Sequence, residues 1–204
     1  MEVLLIPLYL NLKRKQNKNV LAVTLSKAAC IAVPAVTAGL SLDGSLFTLL
    51  IFAGVLLGAL GDVAIGINLM AGLGFFLTGH IIYTAAFFAL RQYSFACAAV
   101  LVLLLGCVVF AARRLFPFKK ENLPHYLYAA VIANMVSVAV VLPFTADVRQ
   151  GLIIAAGAVL FAVSDGFVAI GLKKGLSVKA DTLSLYMYFN AQLLLALSAY
   201  FKFA

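Results

Sequence analysis

Long apolar runs alternate with short polar breaks along almost the whole chain. A helix needs about 20 mostly apolar residues to cross the hydrocarbon core of a bilayer. Seven runs meet that length, at roughly 20–40, 46–67, 72–90, 94–112, 125–143, 150–172 and 182–203, and an eighth at roughly 2–12 falls short of it. The pattern predicts an all-α membrane protein, one integral domain over 1–204 built as a bundle of eight transmembrane helices. LLGALGD in the third run and LFAVSDG in the seventh each set a small residue just before an aspartate, an echo compatible with two parallel four-helix repeats.

Charge placement orients the bundle, because cytoplasmic loops collect lysine and arginine. With eight crossings and an outer N-terminus, the inner loops hold Lys13, Arg14, Lys15, Lys18, Arg113, Arg114, Lys119, Lys120, Lys173, Lys174 and Lys179. The outer side keeps only Arg91, Arg149 and Lys202. Both termini are therefore expected on the non-cytoplasmic side, and the expected location is the plasma (inner) membrane of a bacterium. Composition agrees: 65% hydrophobic, 11% charged, mean hydropathy +1.13, too little polar surface for a soluble globule. The net charge of +8 would suit nucleic acid in a soluble domain, but here it lies in loops between spans, so nucleic acid is set aside. Cys30, Cys97 and Cys107 lie in apolar runs and read as packing residues. MEVLLIPLYLNLKRK carries its charges after its apolar run and reads as a retained first span, not a cleaved signal.

Of seven acidic residues only Asp62 and Asp165 fall inside apolar runs, and of fifteen basic residues only Lys27 does. An ionisable group at the bilayer centre costs about 2.5–3.5 kcal/mol even on the lenient insertion scale, so all three are expected to face the bundle interior and find partners. At a rise of about 1.5 Å per residue, both aspartates fall in the cytoplasmic half, the level that Lys27, His80, Asn134, Asn190 and Gln192 also reach from other helices. A cavity opening toward the cytoplasm or inner leaflet is expected there. Two carboxylates and one ammonium leave an uncompensated negative charge, which predicts one protonated and one ionised aspartate, the pattern of an acid/base pair.

Plainer readings stand beside these. The three charged residues would also suit a structural ion pair, and Lys27 alone would suit snorkelling to the interface. His80 and Tyr83 share a helix face, which fits an interhelical hydrogen bond as well as a substrate contact. Asn190 and Gln192 sit about 200° apart around a helix, so at most one faces the cavity. His125, beside Pro124, reads as interfacial, and Gly54, Gly58, Gly61, Gly72, Gly74 and Gly79 read as close-packing surfaces. Two histidines and no thiolate cluster make neither a closed zinc site nor a three-histidine centre, though both aspartates with His80 could still form a metal site. No nucleophile elbow, phosphate loop or dinucleotide fingerprint is evident, and no histidine base lies near Ser164 in sequence.

GDVAIGINLMAGLGFFLTGHIIYTAAF resembles the first signature of the lysoplasmalogenase family of membrane proteins (YhhN-like), a Gly-Asp followed by a Phe-rich helix ending in His-x-x-Tyr. FAVSDGFVAI resembles its Ser-Asp motif, with Ser164 as the serine, and YFNAQLLLALS its closing Tyr-x-x-Ala-Gln segment. The resemblance implies hydrolysis of the vinyl-ether bond of lysoplasmalogens without cofactor or metal, the lysophospholipid being the partner along with membrane lipids. It places the family's two aspartates on Asp62 and Asp165, its His and Tyr on His80 and Tyr83, and its Tyr and Gln on Tyr188 and Gln192. The family's Lys-Pro is met by Lys27 alone, since Ala28 follows and the nearest proline is Pro34. On this reading the lipid's single chain lies in the apolar outer part of the bundle and its head group meets Lys27 and the inner basic loops. A small proton-coupled transporter would use an intramembrane aspartate pair equally well, and a lipid-binding scaffold would tolerate loss of the polar residues.

Overall fold

The computed structural model describes the backbone from Val20 to Phe201, apart from position 66, and the side chains from residue 29 onward. Seven α-helices occupy it: α1 (Val20–Leu40), α2 (Leu46–Ile65), α3 (Leu69–Leu90), α4 (Phe95–Ala112), α5 (Leu123–Val141), α6 (Val148–Lys174) and α7 (Val178–Tyr200). Short 3-10 turns at Lys120–Asn122 and Leu142–Phe144 flank α5, and no strand occurs among the described residues. Seven of the eight expected segments are thus helical, with ends within about four residues of those expected. The run at 2–12 lies outside the described residues. Five stretches, Leu46–Ile65, Leu69–Leu90, Phe95–Ala112, Lys120–Phe144 and Val148–Lys174, are long and apolar enough to cross a membrane. The chain is a multi-pass membrane protein.

Backbone groups inside a bilayer find no water, so helix ends need internal partners. The side chains of Asn68, Ser94, Asp147 and Ser177 supply them at the starts of α3, α4, α6 and α7, each accepting from the N–H three residues on. α6 ends on Gly175 at φ 71°, a left-handed position that glycine adopts without a Cβ clash. At the turn from α2 to α3, a Cβ on Gly72 would lie 2.7 Å from Ile65 Cα. That close approach fixes how the last turns of α2, which carry Asp62, face α3.

α2 pairs with α3 and α6 with α7, while α1 lies across α2 and α7. α5 packs on α3 and on α6, and α4 leans on α5 with Cys97 as its one buried residue. Cys30 is buried as well, but Cys107 is exposed on α4, so it does not pack as its apolar surroundings suggested. α3 and α4 are neighbours in sequence yet make no more than marginal contact. Toward the Arg91–Ser94 end the interior is filled by Ile51, Val55, Phe87, Met135, Ile154 and Leu195, all fully buried. Toward the opposite end, where Arg113, Arg114, Lys119, Lys120, Lys173 and Lys174 lie, it opens.

Candidate active site

Two hydrogen-bonded groups stand in that open half, one on each aspartate. Asp165, on α6, accepts from the Tyr128 hydroxyl of α5 through Oδ2 at 2.8 Å. The same Oδ2 lies 3.2 Å from His80 Nε2 on α3, and Nε2 lies 3.3 Å from the Tyr128 oxygen. Three helices are thereby tied at one carboxylate oxygen. His80 is fully buried and its Nδ1 has no partner among the described residues. The tautomer with its proton on Nε2 fits this setting: it gives the carboxylate a second donor and leaves a lone pair at Nδ1, where a stranded N–H would cost about 1–3 kcal/mol.

Asp62, on α2, accepts through Oδ2 from the Tyr188 hydroxyl of α7 at 2.7 Å. Behind it runs a line of polar groups. Tyr83 donates to Gln192 Oε1, and Gln192 Nε2 donates to the Tyr188 oxygen at 3.4 Å. With its proton given to Asp62, the Tyr188 oxygen takes the Gln192 amide, which leaves the Gln192 carbonyl to accept from Tyr83 and sets the direction of every donor in the line. Tyr83, Tyr188 and Gln192 are all buried. The line follows α2 itself. Gly54, Gly58 and Asp62 recur every four residues on one face, and a Cβ on Gly54 would strike the Tyr83 ring while one on Gly58 would strike the Gln192 amide.

Phe161 of α6 stands between the two groups. Its ring meets His80, Tyr83, Tyr188 and Phe76 edge-on at centroid separations of 4.6, 6.4, 5.4 and 6.5 Å. Edge-to-face packing of this kind holds the tyrosines in place without competing for their hydroxyls. Asp62, Tyr188, Asp165 and Tyr128 all border one cavity of about 650 Å³, whose wall is otherwise almost wholly apolar. His80, Tyr83 and Gln192 stand behind that wall and reach it only through the groups they bond. At its edge His125 stacks on Phe116 at 4.3 Å, with Lys173 Nζ 5.0 Å above the Phe116 ring. His125 therefore borders the cavity rather than simply marking the interface. No group of three or more histidines, cysteines or carboxylates gathers among the described residues.

The structure thus brings together Asp62, Asp165, His80, Tyr83, Tyr188 and Gln192. Asn134 and Asn190 are set apart from that group. Asn134 is half-buried and off the cavity wall, and Asn190 is exposed, its Nδ2 bonded back to the Tyr186 carbonyl at 2.8 Å. Lys27 lies in α1, its side chain outside the described residues. Ser164 touches the cavity wall, but its hydroxyl is engaged with Ser184: Ser164 Oγ donates to the Ser184 carbonyl at 2.9 Å, and Ser184 Oγ to the Ser164 carbonyl at 3.2 Å. Gly74, expected to pack closely, borders the cavity with nothing within 4 Å of a Cβ placed there. Sequence reasoning passed over Tyr128 and Phe161.

The sequence profile of the YhhN family matches residues 22–199. The chain belongs to the YhhN family. That is the lysoplasmalogenase family, which the three motifs resembled, and membership is consistent with a hydrolase. No curated protein and no solved structure matches the chain. The span matched to the YhhN family takes in both aspartates and every partner described for them.

Two expected outcomes separate framework from site in this YhhN protein. Ser164→Ala removes one half of a reciprocal interhelical clamp and is expected to cost about 1 kcal/mol, within the range for such bonds in membranes. A fall in the thermal unfolding midpoint in detergent checks it. Asn190→Leu replaces an exposed, self-bonded amide on the outer surface and is expected to leave stability unchanged or raised. A lowered midpoint would place Asn190 in a polar contact after all.

Proposed function

We propose that this protein is a membrane hydrolase that cleaves the vinyl-ether bond of lysoplasmalogens, giving a fatty aldehyde and glycerophosphoethanolamine or glycerophosphocholine. One observation carries the reading: two carboxylates from different helices border a single apolar cavity, each held by a tyrosine hydroxyl. A vinyl ether needs a proton on its outer carbon, stabilisation of the oxocarbenium ion that results, and a base for the attacking water. Asp165 takes two donors on one oxygen, which suits it to the ionised role of holding the cation and accepting the proton of water. The acid role then falls to Asp62, whose carboxyl proton goes to carbon. Water adds to the cation, and the hemiacetal breaks at its bond to the glycerol oxygen, which takes up the proton that the hemiacetal hydroxyl gives up as it becomes the aldehyde. The sum is one water consumed, one alcohol and one aldehyde released, and Asp62 is reprotonated by the proton that Asp165 accepted.

The packed half at the Arg91–Ser94 end suits a substrate pocket better than a path through the membrane. The gathering of Arg113, Arg114, Lys119, Lys120, Lys173 and Lys174 at the other end supports placing that end in the cytoplasm, with both termini outside, in a bacterial inner membrane. The test is direct. Purified protein in lipid nanodiscs is given lysoplasmalogen, and aldehyde and glycerophospho-alcohol are expected in equal amounts. Folded protein that releases neither, or that carries the lipid or another solute across a vesicle membrane under a pH gradient without bond cleavage, would overturn the reading.

A further inference from the structure

We propose that the wedge between α3 and α4 is a lateral portal that admits a single hydrocarbon chain of a membrane lipid from the bilayer to the aspartate pair. It rests on the hydrolase reading only for what happens to the lipid afterwards. Antiparallel helices joined by a four-residue turn ordinarily pack against each other. α3 instead packs on α2 and α5, α4 leans on α5, and the cavity extends into the gap between them. Leu73, Gly74 and Leu77 line it from α3, and Leu104, Val108 and Ala111 from α4.

The gap is open and dry in character. A Cβ at Gly74 meets nothing, whereas two residues earlier Gly72 is pressed against the backbone of α2. Met70 and Phe75 on α3 and Leu103 and Val109 on α4 are exposed, and neither helix carries an acidic residue, a lysine or an arginine. A flank of this kind faces hydrocarbon in a membrane protein, so the wedge opens to the bilayer. Volume narrows the occupant. A methylene takes up roughly the 30 Å³ of a water molecule, so a sixteen-carbon chain needs about 480 Å³ and a pair of them about twice that. The cavity of about 650 Å³ has room for one such chain. The apolar far half of the bundle, where the sequence placed the chain, is already filled by side chains such as Phe87 and Met135.

Photolabelling tests the portal without turnover. The full chain in diacyl-phosphatidylcholine nanodiscs is irradiated with a lysophosphatidylcholine carrying a diazirine at its chain end, and the labelled peptides are mapped. Labels are expected on residues 69–77 and 104–112, in competition with the two-chain lipid of the disc. Gly74→Phe and Val108→Phe, each checked for native thermal unfolding, are expected to cut that labelling roughly tenfold, the loss expected when two or more methylenes lose their burial. On substrate, both are expected to shift preference toward shorter chains. Label spread evenly over the outer faces, or unchanged in both variants, would overturn the portal. Labelling in the wedge with no aldehyde from the native protein would sink the hydrolase and keep the portal, and aldehyde release without wedge labelling would do the reverse.

Discussion

Asp165→Asn is expected to slow aldehyde release from lysoplasmalogen by about 10²–10⁴-fold, the range for loss of a positioned acid or base. The change keeps the shape of the side chain but removes the charge that holds the cation and takes the proton of water. It also turns an acceptor of two bonds into a group that donates from one side. Asp62→Asn is expected to fall in the same range, and the double variant little further, because groups that act as a unit lose their effect together. The measurement is kcat on purified variants whose thermal unfolding matches the native protein. Full activity in both single variants would remove the aspartates from the mechanism. Tyr128→Phe is a finer probe. It deletes one of two donors to Asp165 Oδ2 and leaves His80 in place. Hydrogen bonds to charged groups contribute about 1.5–3 kcal/mol, so a loss of about 10- to 100-fold is expected.

The aspartates could be found from sequence because their cost in hydrocarbon makes them anomalous wherever they point. Height in the bilayer follows from counting residues along a helix, and it put His80 and Gln192 at the right level. Direction around the helix does not follow from counting alone. Asn134 was expected by height but sits off the face of α5 on which Tyr128, Ile132 and Val136 recur at four-residue steps along the cavity. Asn190 fails for the same reason, halfway between Tyr188 and Gln192 and on the opposite side of α7 from both. Tyr128 escaped notice because a tyrosine near a helix end is common at membrane interfaces, and nothing local to it reveals an aspartate 37 positions away. Equally hidden was the gap between α3 and α4. Their short connection argues for packing, and only the packing of α3 on α2 and α5, and of α4 on α5, undoes it.

The glycines of α2 were legible as a packing face, but not as a face that packs against polar side chains, and this leads to the second large effect. Gly58→Ala is expected to lower activity at least about tenfold and stability by about 1–3 kcal/mol. The added methyl would occupy the place of the Gln192 amide and lie 3.4 Å from the Tyr188 hydroxyl. A long side chain could ordinarily swing aside at little cost. Gln192 is held at both ends, by Tyr83 and by Tyr188, and is buried among aromatic rings, so moving it strands the buried Tyr83 hydroxyl behind the cavity wall. Tyr188 then loses the donor that points its own proton at Asp62. A double-mutant cycle distinguishes this from general crowding. Gln192→Ala on its own empties the space that the methyl needs, so adding Gly58→Ala to it is expected to cost little more in stability or rate. Additive losses would mean that the methyl acts through the helix backbone instead. Gly106→Ala supplies the baseline. It lies in α4 with nothing within 4 Å of its Cβ, and is expected to gain about 0.5–1 kcal/mol from the helix alone. The contrast between these two glycines measures how far the site depends on a line of side chains threaded along one face of α2.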